Sequence, residues 1–362
     1  MRGRVSIKDV AQEARTSIAT VSNVFNRKKN VGEDMRRRVL DAAEKLGYRA
    51  DPAARSLKGQ KTDMFGVIVS DLSCIFFTPM LCALEETLHA HGRAAIICDA
   101  GNSPQRETDY IRMLTGRRVD GIIRMGICSR VCEAEYARVI SEGTPVVSLE
   151  HDLTAFGADS ILVNNRKCAY LAVSHLIELG CQRIAHISVS HPETGQTEAE
   201  NILSSSVPDL AQERQAGYIQ ALVDAGLSVD ESLLLQGDFS PISGFEAVNR
   251  LLHSGISFDG IFAANDQMAV GALRALRNAG ISVPEKVKLV GFDNTFISSI
   301  VEPALTTVSV SARDMGIFAA QRMLLRLSDP QMEPARIPIE YELIIRRSTM
   351  ASARTRWEMN NW

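Results

Sequence analysis

A short stretch near the start of the chain carries hydroxyl and amide side chains at helical spacing. Val21, Val24 and Phe25 form one apolar face of the predicted helix, and Asn23 lies on the opposite face. The side chains on and beside this outer face are small and neutral: Ala19, Thr20, Ser22, Asn23 and Asn26. Asn can read adenine in a DNA major groove, and hydroxyl groups can bind phosphate. The pattern also fits the outer face of an ordinary three-helix packing module.

Two further helices are predicted around this segment. Ser6, followed three residues later by Asp9, is a capping-box pattern, and the helix that it starts should end near Arg15. Ser17 is the N-cap candidate of the second helix. The third helix has apolar residues at helical spacing and a glycine stop: Met35, Val39, Ala42, Leu46 and Gly47. Two helices joined by a tight turn, followed by a third, indicate a helix-turn-helix unit.

Positive charge is concentrated at this end of the chain. Residues 1–60 hold 14 Lys and Arg against 7 Asp and Glu, a net of +7, and the remainder holds 26 against 36, a net of −10. A basic head on an acidic body indicates that the head alone approaches a polyanion such as DNA.

The remaining composition predicts an ordinary globular protein. A chain of 362 residues is expected to form two or three domains. It has no apolar run long enough for a transmembrane helix and no signal-peptide core, so a cytoplasmic location is expected. The cysteines form no C-x-x-C pair and are expected to be reduced and mostly buried: Cys74, Cys82, Cys98, Cys128, Cys132, Cys168 and Cys181.

From residue 64, β-rich runs alternate with helical stretches. The predicted strands form two sets, 65–70, 94–98, 121–125 and 146–149, then 184–188, 233–236, 260–263 and 287–292. The predicted helices include 79–91, 167–179, 211–225, 244–252 and 267–279, and a final helix near 312–327 precedes a strand near 337–345. This alternation indicates two doubly wound lobes of parallel sheet. The cleft between the lobes, beyond the carboxyl ends of the strands, is the expected ligand site.

Signatures of catalysis are missing from the sequence. Neither G-x-x-x-x-G-K-[ST] nor G-x-S-x-G occurs, and the histidines are isolated, with His175 and His186 expected to be structural. We therefore expect neither an enzyme nor a metal or cofactor site.

Several motifs resemble the LacI/GalR family of transcriptional regulators. They are Val5-Ser-Ile-Lys-Asp-Val-Ala-Gln-Glu-Ala, Ser17-Ile-Ala-Thr-Val-Ser-Asn-Val-Phe-Asn, Leu46-Gly-Tyr and Ala54-Arg-Ser-Leu-Lys. The resemblance continues to about residue 348, and several later segments look most like the purine repressor branch. It implies an α/β protein with an all-α helix-turn-helix head and a two-lobed, periplasmic-binding-protein-like body. It also implies a homodimeric repressor that binds pseudo-palindromic operator DNA.

The resemblance assigns roles in the head. Ile18 and Ala19 match the main base-reading positions, and being apolar they could touch a thymine methyl, which leaves Asn23 as the polar base reader. Arg55 and Leu57 match the hinge, where the leucine wedges into the minor groove. The implied DNA-binding residues are Ser6, Ser17, Ile18, Ala19, Thr20, Ser22, Asn23, Asn26, Arg55 and Leu57.

Three departures from the family pattern bear on the head. Arg15 stands where the turn usually has Gly or Asn, so the turn geometry is expected to differ. Met35 replaces a threonine, and Ala50 replaces a proline that appears instead as Pro52. These changes affect the expected hinge geometry and operator sequence, and they leave the expected DNA-binding role intact.

The resemblance also places residues in the cleft. An arginine fork, carboxylates and aromatic rings would suit a small polar effector such as a sugar or a nucleobase. The implied effector-binding residues are Phe76, Phe77, Glu150, Arg214, Phe239, Asn265, Asp266 and Asp293. Asp266 could equally be a helix N-cap, Phe239 a core residue and Arg214 part of a surface ion pair.

Other departures concern the body. Cys74-Ile75 replaces the usual Asn-Pro, Glu150-His151 replaces Asp-Arg, and 188–213 is longer than usual, polar and acidic. A family member that has lost its small effector, and responds to a protein partner or to nothing, is therefore the alternative. The expected domains are 1–49 (head), 50–62 (hinge helix and linker), 63–348 (effector-binding and dimerisation body) and 349–362 (tail).

Overall fold

The computed structural model of the chain describes residues 5–25, 31–48, 62–126, 130–189 and 210–353. The chain divides into two compact units, Met1–Thr62 and Asp63–Trp362. The hinge residues and most of the 188–213 segment lie outside the described residues.

The first unit contains the three predicted helices, α1 (Ile7–Glu13), α2 (Ile18–Phe25) and α3 (Glu33–Leu46). Each contributes a fully buried valine to one apolar core, namely Val10, Val21 and Val39. Asp9 accepts hydrogen bonds from the backbone N–H and the hydroxyl of Ser6, each at 2.8 Å, which fixes the start of α1. Arg38 donates to the carbonyl of Ala14 at 2.7 Å and so ties α3 to the end of α1.

The turn between α1 and α2 keeps a left-handed residue although no glycine is present. Arg15 has φ 49°, so the arginine departure does not abolish the left-handed conformation of the turn. Such a conformation costs a non-glycine residue roughly 1–2 kcal/mol. The Thr16 amide bonds to the carbonyl of Ala11 at 2.9 Å and holds the turn closed. Gly47 ends α3 with φ 66°, as predicted.

The second unit contains two six-stranded sheets. The first has the order β11-β5-β4-β3-β1-β2, with all its pairs parallel. Its elements are β1 (Met64–Val69), α4 (Phe77–Ala90), β2 (Ala94–Asp99), α5 (Pro104–Gly116), β3 (Gly121–Met125), α6 (Arg130–Ser141), β4 (Val146–Leu149), β5 (Asp159–Val163), α12 (Ala312–Ser328) and β11 (Arg336–Ile339). A 3-10 turn, Thr154–Phe156, precedes β5. We call this half of the unit lobe 1.

The second sheet has the order β12-β10-β9-β8-β6-β7, and only the β10–β12 pair is antiparallel. Its elements are α7 (Asn165–Glu178), β6 (Ile184–Val189), α8 (Leu210–Asp224), β7 (Leu234–Gly237), α9 (Pro241–His253), β8 (Gly260–Ala263), α10 (Asp266–Asn278), β9 (Lys288–Asp293), α11 (Phe296–Ile300), β10 (Thr306–Val310) and β12 (Tyr341–Ile344). A 3-10 turn, Glu231–Leu233, precedes β7. We call this half lobe 2.

The eight predicted strands all occur in the structure, four in each lobe, but the prediction of one strand near 337–345 is wrong. The chain there makes two strands, Arg336–Ile339 in lobe 1 and Tyr341–Ile344 in lobe 2, separated by Glu340. The chain also passes between the lobes after Val163 and after Val310. Thr349, the first residue of the predicted tail, is buried and hydrogen-bonds His175 at 3.0 Å.

Asp159 joins three elements of lobe 1. Its carboxylate is fully buried at the start of β5 and accepts two hydrogen bonds from Arg326 of α12, at 2.7 and 3.0 Å. It also lies 3.1 Å from the Nε of Arg322 and accepts the Ala335 amide ahead of β11 at 2.8 Å. Burial raises the pKa of Asp159, but the bonds from Arg326 and Ala335 outweigh it and hold the pKa below its ordinary value.

We expect Asp159→Asn to lower the free energy of unfolding by about 3–5 kcal/mol, because two largely buried guanidinium groups would then face an amide instead of a carboxylate. Urea unfolding of the chain, followed by circular dichroism, measures the change. The exposed Glu85→Gln on α4 removes one carboxylate charge from the same lobe and should shift stability by less than about 0.5 kcal/mol. Equal losses in the two variants would show that Asp159 is not a structural anchor.

Candidate functional site

A cavity that is partly open to solvent lies between the two lobes. It sits at the carboxyl ends of the parallel strands of both sheets, where doubly wound folds bind their ligands. Its lining residues are Ser70, Asp71, Cys74, Phe76, Phe77, Asn102, Gly126, Glu150, Leu210, Arg214, Phe239, Asn265 and Asp293. Seven of the eight effector-binding residues implied by the sequence are therefore brought together here.

Lobe 1 contributes the residues that follow its central strands. Ser70 and Asp71 follow β1, Gly126 follows β3, and Glu150 follows β4. Gly126 has φ 95°, and a Cβ there would lie 2.2 Å from the Ser70 hydroxyl and 3.0 Å from the ring of Phe77. Glycine is required at this position because the wall of the cavity closes directly over it.

An aromatic wall precedes helix α4. Phe76 and Phe77 are buried, and their ring centroids lie 5.9 Å apart in a tilted arrangement. The amide of Ile75, just before this wall, donates to the Oε1 of Gln267 on α10 at 3.2 Å. This bond links lobe 1 directly to lobe 2.

Lobe 2 contributes Arg214 from helix α8, which is 3% exposed. Its Nε donates to Asn165 Oδ1 at 2.9 Å, and its Nη1 donates to the carbonyl of Ala264. The guanidinium carbon lies 3.6 Å from the centroid of the Phe292 ring, a cation–π contact. Arg214 is thus held in a fixed orientation. Because it is buried, the alternative that Arg214 forms a surface ion pair is wrong.

Asp293, at the end of β9, faces Arg214 in the cavity. The Arg214 Nη2 and the Asp293 Oδ1 are 3.9 Å apart, and Asp293 is 8% exposed. Burial raises the pKa of Asp293 to about 6, although Arg214 favours the ionised form.

Glu150 lies on the lobe 1 side of the cavity. Burial and the negative charge of Asp293 raise the pKa of Glu150 to about 7, although the positive charges of Arg214 and Arg124 act to lower it. Cys74 lines the same space, and burial together with Asp293 raises the pKa of its thiol to about 12. The thiol therefore stays protonated, which does not suit a nucleophile.

The N-cap assignment made from the sequence is off by one residue. Asn265, and not Asp266, caps α10, because its Oδ1 accepts the Met268 amide at 2.8 Å while its Nδ2 donates to the Phe239 carbonyl at 3.0 Å. Asp266 is fully buried and does not line the cavity.

Asp266 instead anchors the loop that follows β9. It accepts the amide and the hydroxyl of Thr295 at 2.7 and 3.0 Å, and the hydroxyl of Thr307 at 2.6 Å. Burial and the charge of Asp293 raise its pKa to about 7 against these bonds. Asp266 thus positions the backbone that carries Asp293.

Backbone strain is concentrated around the cavity. Glu150, Phe239 and Asp293 have φ values of 67°, 68° and 98°, and Asn102 has φ 54°. Left-handed backbone costs L-residues of these types free energy and tends to persist where a site needs a particular side-chain direction. Phe239, half-buried at the end of β7, presents its ring to the cavity as well as packing on the lobe 2 core.

Several lining residues were not among the predicted effector-binding residues: Ser70, Asp71, Cys74, Asn102, Gly126 and Leu210. Ser70 ends a predicted strand and Asp71 directly follows it, while Asn102 and Gly126 each follow another predicted strand closely. The position of a polar or glycine residue after a buried strand was therefore the signal that could have found them. Leu210 borders the polar 188–213 segment, whose residues 190–209 lie outside the described part.

The predicted DNA-contact surface forms one side of α2 in the head. Ser17, Ile18 and Ala19 are exposed, with Ile18 at 45%, and Asn23 is half-buried. The Ser17 hydroxyl accepts the Thr20 amide at 3.1 Å and so caps the helix as predicted. Ser6 and Thr20 are exposed and half-buried, respectively, and Ser22 is half-buried. Asn26, Arg55 and Leu57 lie outside the described residues.

Membrane-spanning helices and metal-ligand clusters are absent from the part of the chain that the structure describes. No helix there is long and apolar enough to cross a bilayer. No cluster of three or more His, Cys, Asp or Glu side chains there could hold a metal ion.

Two protein families match the chain. Residues 6–51 match the family described as "Bacterial regulatory proteins, lacI family", and residues 173–349 match "Periplasmic binding protein-like domain". The first covers the three-helix head, and the second covers most of lobe 2 and the last elements of the fold.

Individual proteins match along nearly the whole chain. HTH-type transcriptional regulator RegA of Clostridium saccharobutylicum is 34% identical over 346 residues, 95% of this chain and 99% of RegA. HTH-type transcriptional repressor PurR of Actinobacillus pleuropneumoniae serotype 3 (strain JL03) is 33% identical over 95% of this chain and 98% of PurR. The sequence identities to RegA and to PurR are nearly equal, so they do not favour the purine repressor branch over RegA.

A solved structure shows the same architecture. The lac repressor dimer bound to operator and the anti-inducer ONPF has a TM-score of 0.79 at 26% identity, over 96% of this chain and 99% of that chain. The fold, the helix-turn-helix head and the full-length similarity to RegA agree. This chain belongs to the LacI family of bacterial transcriptional regulators.

Proposed function

We propose that a small polar effector binds in the cleft and controls the affinity of a homodimer for a pseudo-palindromic operator. The observation that carries this proposal is the cavity itself, which both lobes line from the carboxyl ends of their strands. A ligand there would touch lobe 1 through Phe76 and Glu150 and lobe 2 through Arg214 and Asp293. It would therefore favour one arrangement of the lobes over another.

The polar groups and rings of the cavity suit a sugar or a nucleobase. The carboxylates of Glu150 and Asp293 can accept hydrogen bonds from hydroxyl or N–H groups. The rings of Phe76, Phe77 and Phe239 can stack on a sugar face or a flat base. The guanidinium of Arg214, which Asn165 and Ala264 hold in place, lies 3.9 Å from the Asp293 carboxylate.

The head reads DNA through the outer side of α2. Two copies of α2 would enter successive major grooves, as the pairing of half-sites in helix-turn-helix dimers requires. The exposed Ile18 and Ala19 offer apolar contacts for thymine methyl groups, and Asn23 offers a donor and an acceptor for adenine. Leu57 would wedge the central base step, as in the family. Effector binding then shifts operator affinity by changing the arrangement that the two hinges adopt.

We expect Asn23→Ala to weaken operator binding by about 1–3 kcal/mol for each half-site, because alanine cannot hydrogen-bond a base edge. Selection from a randomised duplex library at two salt concentrations measures both the affinity and the sequence preference. Preference should relax at one base pair in each half-site. Asn278→Ala, at an exposed end of α10 in the body, should leave both unchanged. An unaltered preference in Asn23→Ala would remove Asn23 from base reading.

We expect Leu57→Ala to weaken binding to the selected operator and to reduce the preference for a deformable central step, because the wedge that opens this step is lost. Selection from the same randomised duplex library measures the loss of affinity and of sequence preference. The site selected by the wild-type chain should be a palindrome of about 14–20 base pairs. Leu40→Ala, an exposed leucine of α3, is the matched control. Binding that is equally weak on all sequences and fades with salt would leave only phosphate attraction.

We expect at least one compound in a panel of sugars and nucleobases to raise the melting temperature of the chain. A ligand at 100 times its Kd stabilises the folded state by about 2.7 kcal/mol. Phe239→Leu should reduce the shift, because the stacking face is lost while the volume is largely kept. Phe258→Leu, partly buried on the lobe 2 core, should not reduce it. If no compound in the panel raises the melting temperature, the result would favour a regulator that is controlled by a protein partner or acts without an effector.

A further inference from the structure

The acceptor groups of the cleft outnumber the donors that could satisfy them. Asp293 is 8% exposed, yet neither of its carboxylate oxygens accepts a hydrogen bond within the described residues, and its ion pair with Arg214 spans 3.9 Å. The half-buried Glu150 carboxyl has no hydrogen bond or ion pair within the same residues. Both carboxylates line the cavity and can accept hydrogen bonds from the donors of a ligand.

Arg214 cannot supply the missing donors. Its Nε is committed to Asn165 and its Nη1 to the carbonyl of Ala264, and its face is stacked on Phe292. Its Nη2 lies 3.9 Å from Asp293. The donors of the one guanidinium that lines the cavity in the described residues are therefore largely directed at groups of the protein itself.

The residue after Glu150 adds no positive charge to the cavity. His151 is buried and its Nε2 lies 2.7 Å from Glu133 Oε1, outside the cavity lining. Burial and the positive charge of Arg124 lower its pKa, which favours the neutral ring. The arginine that the family usually carries at this position is thus replaced by a group that brings no charge to the ligand.

Cys74 lies near three carboxylates of the cleft. It lines the cavity, and after burial the groups that disfavour its thiolate are the carboxylates of Asp293, Glu150 and Asp71. All three carboxylates also line the cavity, against the one guanidinium of Arg214, so carboxylates outnumber cations among the lining side chains of the described residues.

We propose that the effector is a polyhydroxylated small molecule with a protonated primary amine, whose ammonium group is held by Glu150 and Asp293. This inference rests on the proposed function of the cleft and narrows the chemical class of its ligand. An ammonium group carries three N–H donors and one positive charge, which match two carboxylates without donors. Hydroxyl groups can use the remaining acceptors, and the rings of Phe76 and Phe239 can stack on the carbon skeleton. A phosphate or carboxylate ligand would meet like charge.

Two matched sets of compounds test the charge preference on the full chain at pH 8, where the Glu150 and Asp293 carboxyls are mostly ionised. The first set is 6-amino-6-deoxyglucose, glucose and glucuronate, and the second is glucamine, sorbitol and gluconate. Each set differs at one carbon only. Isothermal titration calorimetry gives the affinities, and thermal shifts report folding of each variant.

We expect the ammonium member to bind about tenfold or more tightly than the neutral member of its set, and the anionic member to bind most weakly. Glu150→Gln should bring the ammonium and neutral affinities within about threefold of each other while neutral binding remains. If Glu150→Gln lowers stability, Asp293→Asn is used instead, and the same convergence of ammonium and neutral affinities is expected. The exposed Glu340→Gln should keep the full preference.

The two proposals fail in different ways. Neutral or anionic members that bind as tightly as the ammonium member would overturn the ammonium assignment and leave the effector cleft in place. An ammonium preference that survives both Glu150→Gln and Asp293→Asn would also overturn it. Absence of binding by all six compounds would count against both the ammonium effector and a sugar-like ligand in the cleft.

Discussion

The orientation of one buried charge organises the cleft. Arg214 is 3% exposed, where an unpaired guanidinium would cost several kcal/mol, so every side of it must be satisfied by the fold. Its partners come from different elements: Asn165 after β5, Ala264 after β8, and Phe292 and Asp293 on β9. Asp293 is in turn carried by a loop that Asp266 anchors. The floor of the cavity is therefore fixed before any ligand arrives, which lowers the cost of binding.

The lobes are joined in a way that lets the cleft act as a switch. The chain passes between them after Val163, after Val310 and at Glu340, and one apolar core cluster contains residues of both sheets. In addition, the Ile75 amide of lobe 1 bonds to Gln267 of lobe 2. The lobes are therefore connected by the chain at three places. A ligand that bridges Glu150 and Asp293 would bias the arrangement of the lobes directly, because the two carboxylates belong to different lobes.

Sequence patterns predicted the elements that depend on the types and spacing of neighbouring residues. Continuous apolar runs such as 260–263 predicted strands buried on both faces, and Gly47 predicted the end of α3. Strand β5 was missed because it begins with Asp159, whose burial depends on arginines more than 160 residues away. Strand β10 was missed because its buried Thr306 and Thr307 read as polar. The role of Asp266 could not be predicted, since its partners Thr295 and Thr307 meet it only in the folded lobe. The family resemblance, by contrast, found most of the cavity lining.

Reciprocal coupling between the cleft and the head tests the account most directly. The affinity of the full chain for its selected operator duplex is measured by fluorescence anisotropy with and without the most stabilising compound. The affinity for that compound is then measured by calorimetry with and without saturating operator. An effector that controls DNA binding must change both affinities by the same factor, typically about 5–150-fold. A compound that binds the cleft equally well on and off the operator would contradict the account.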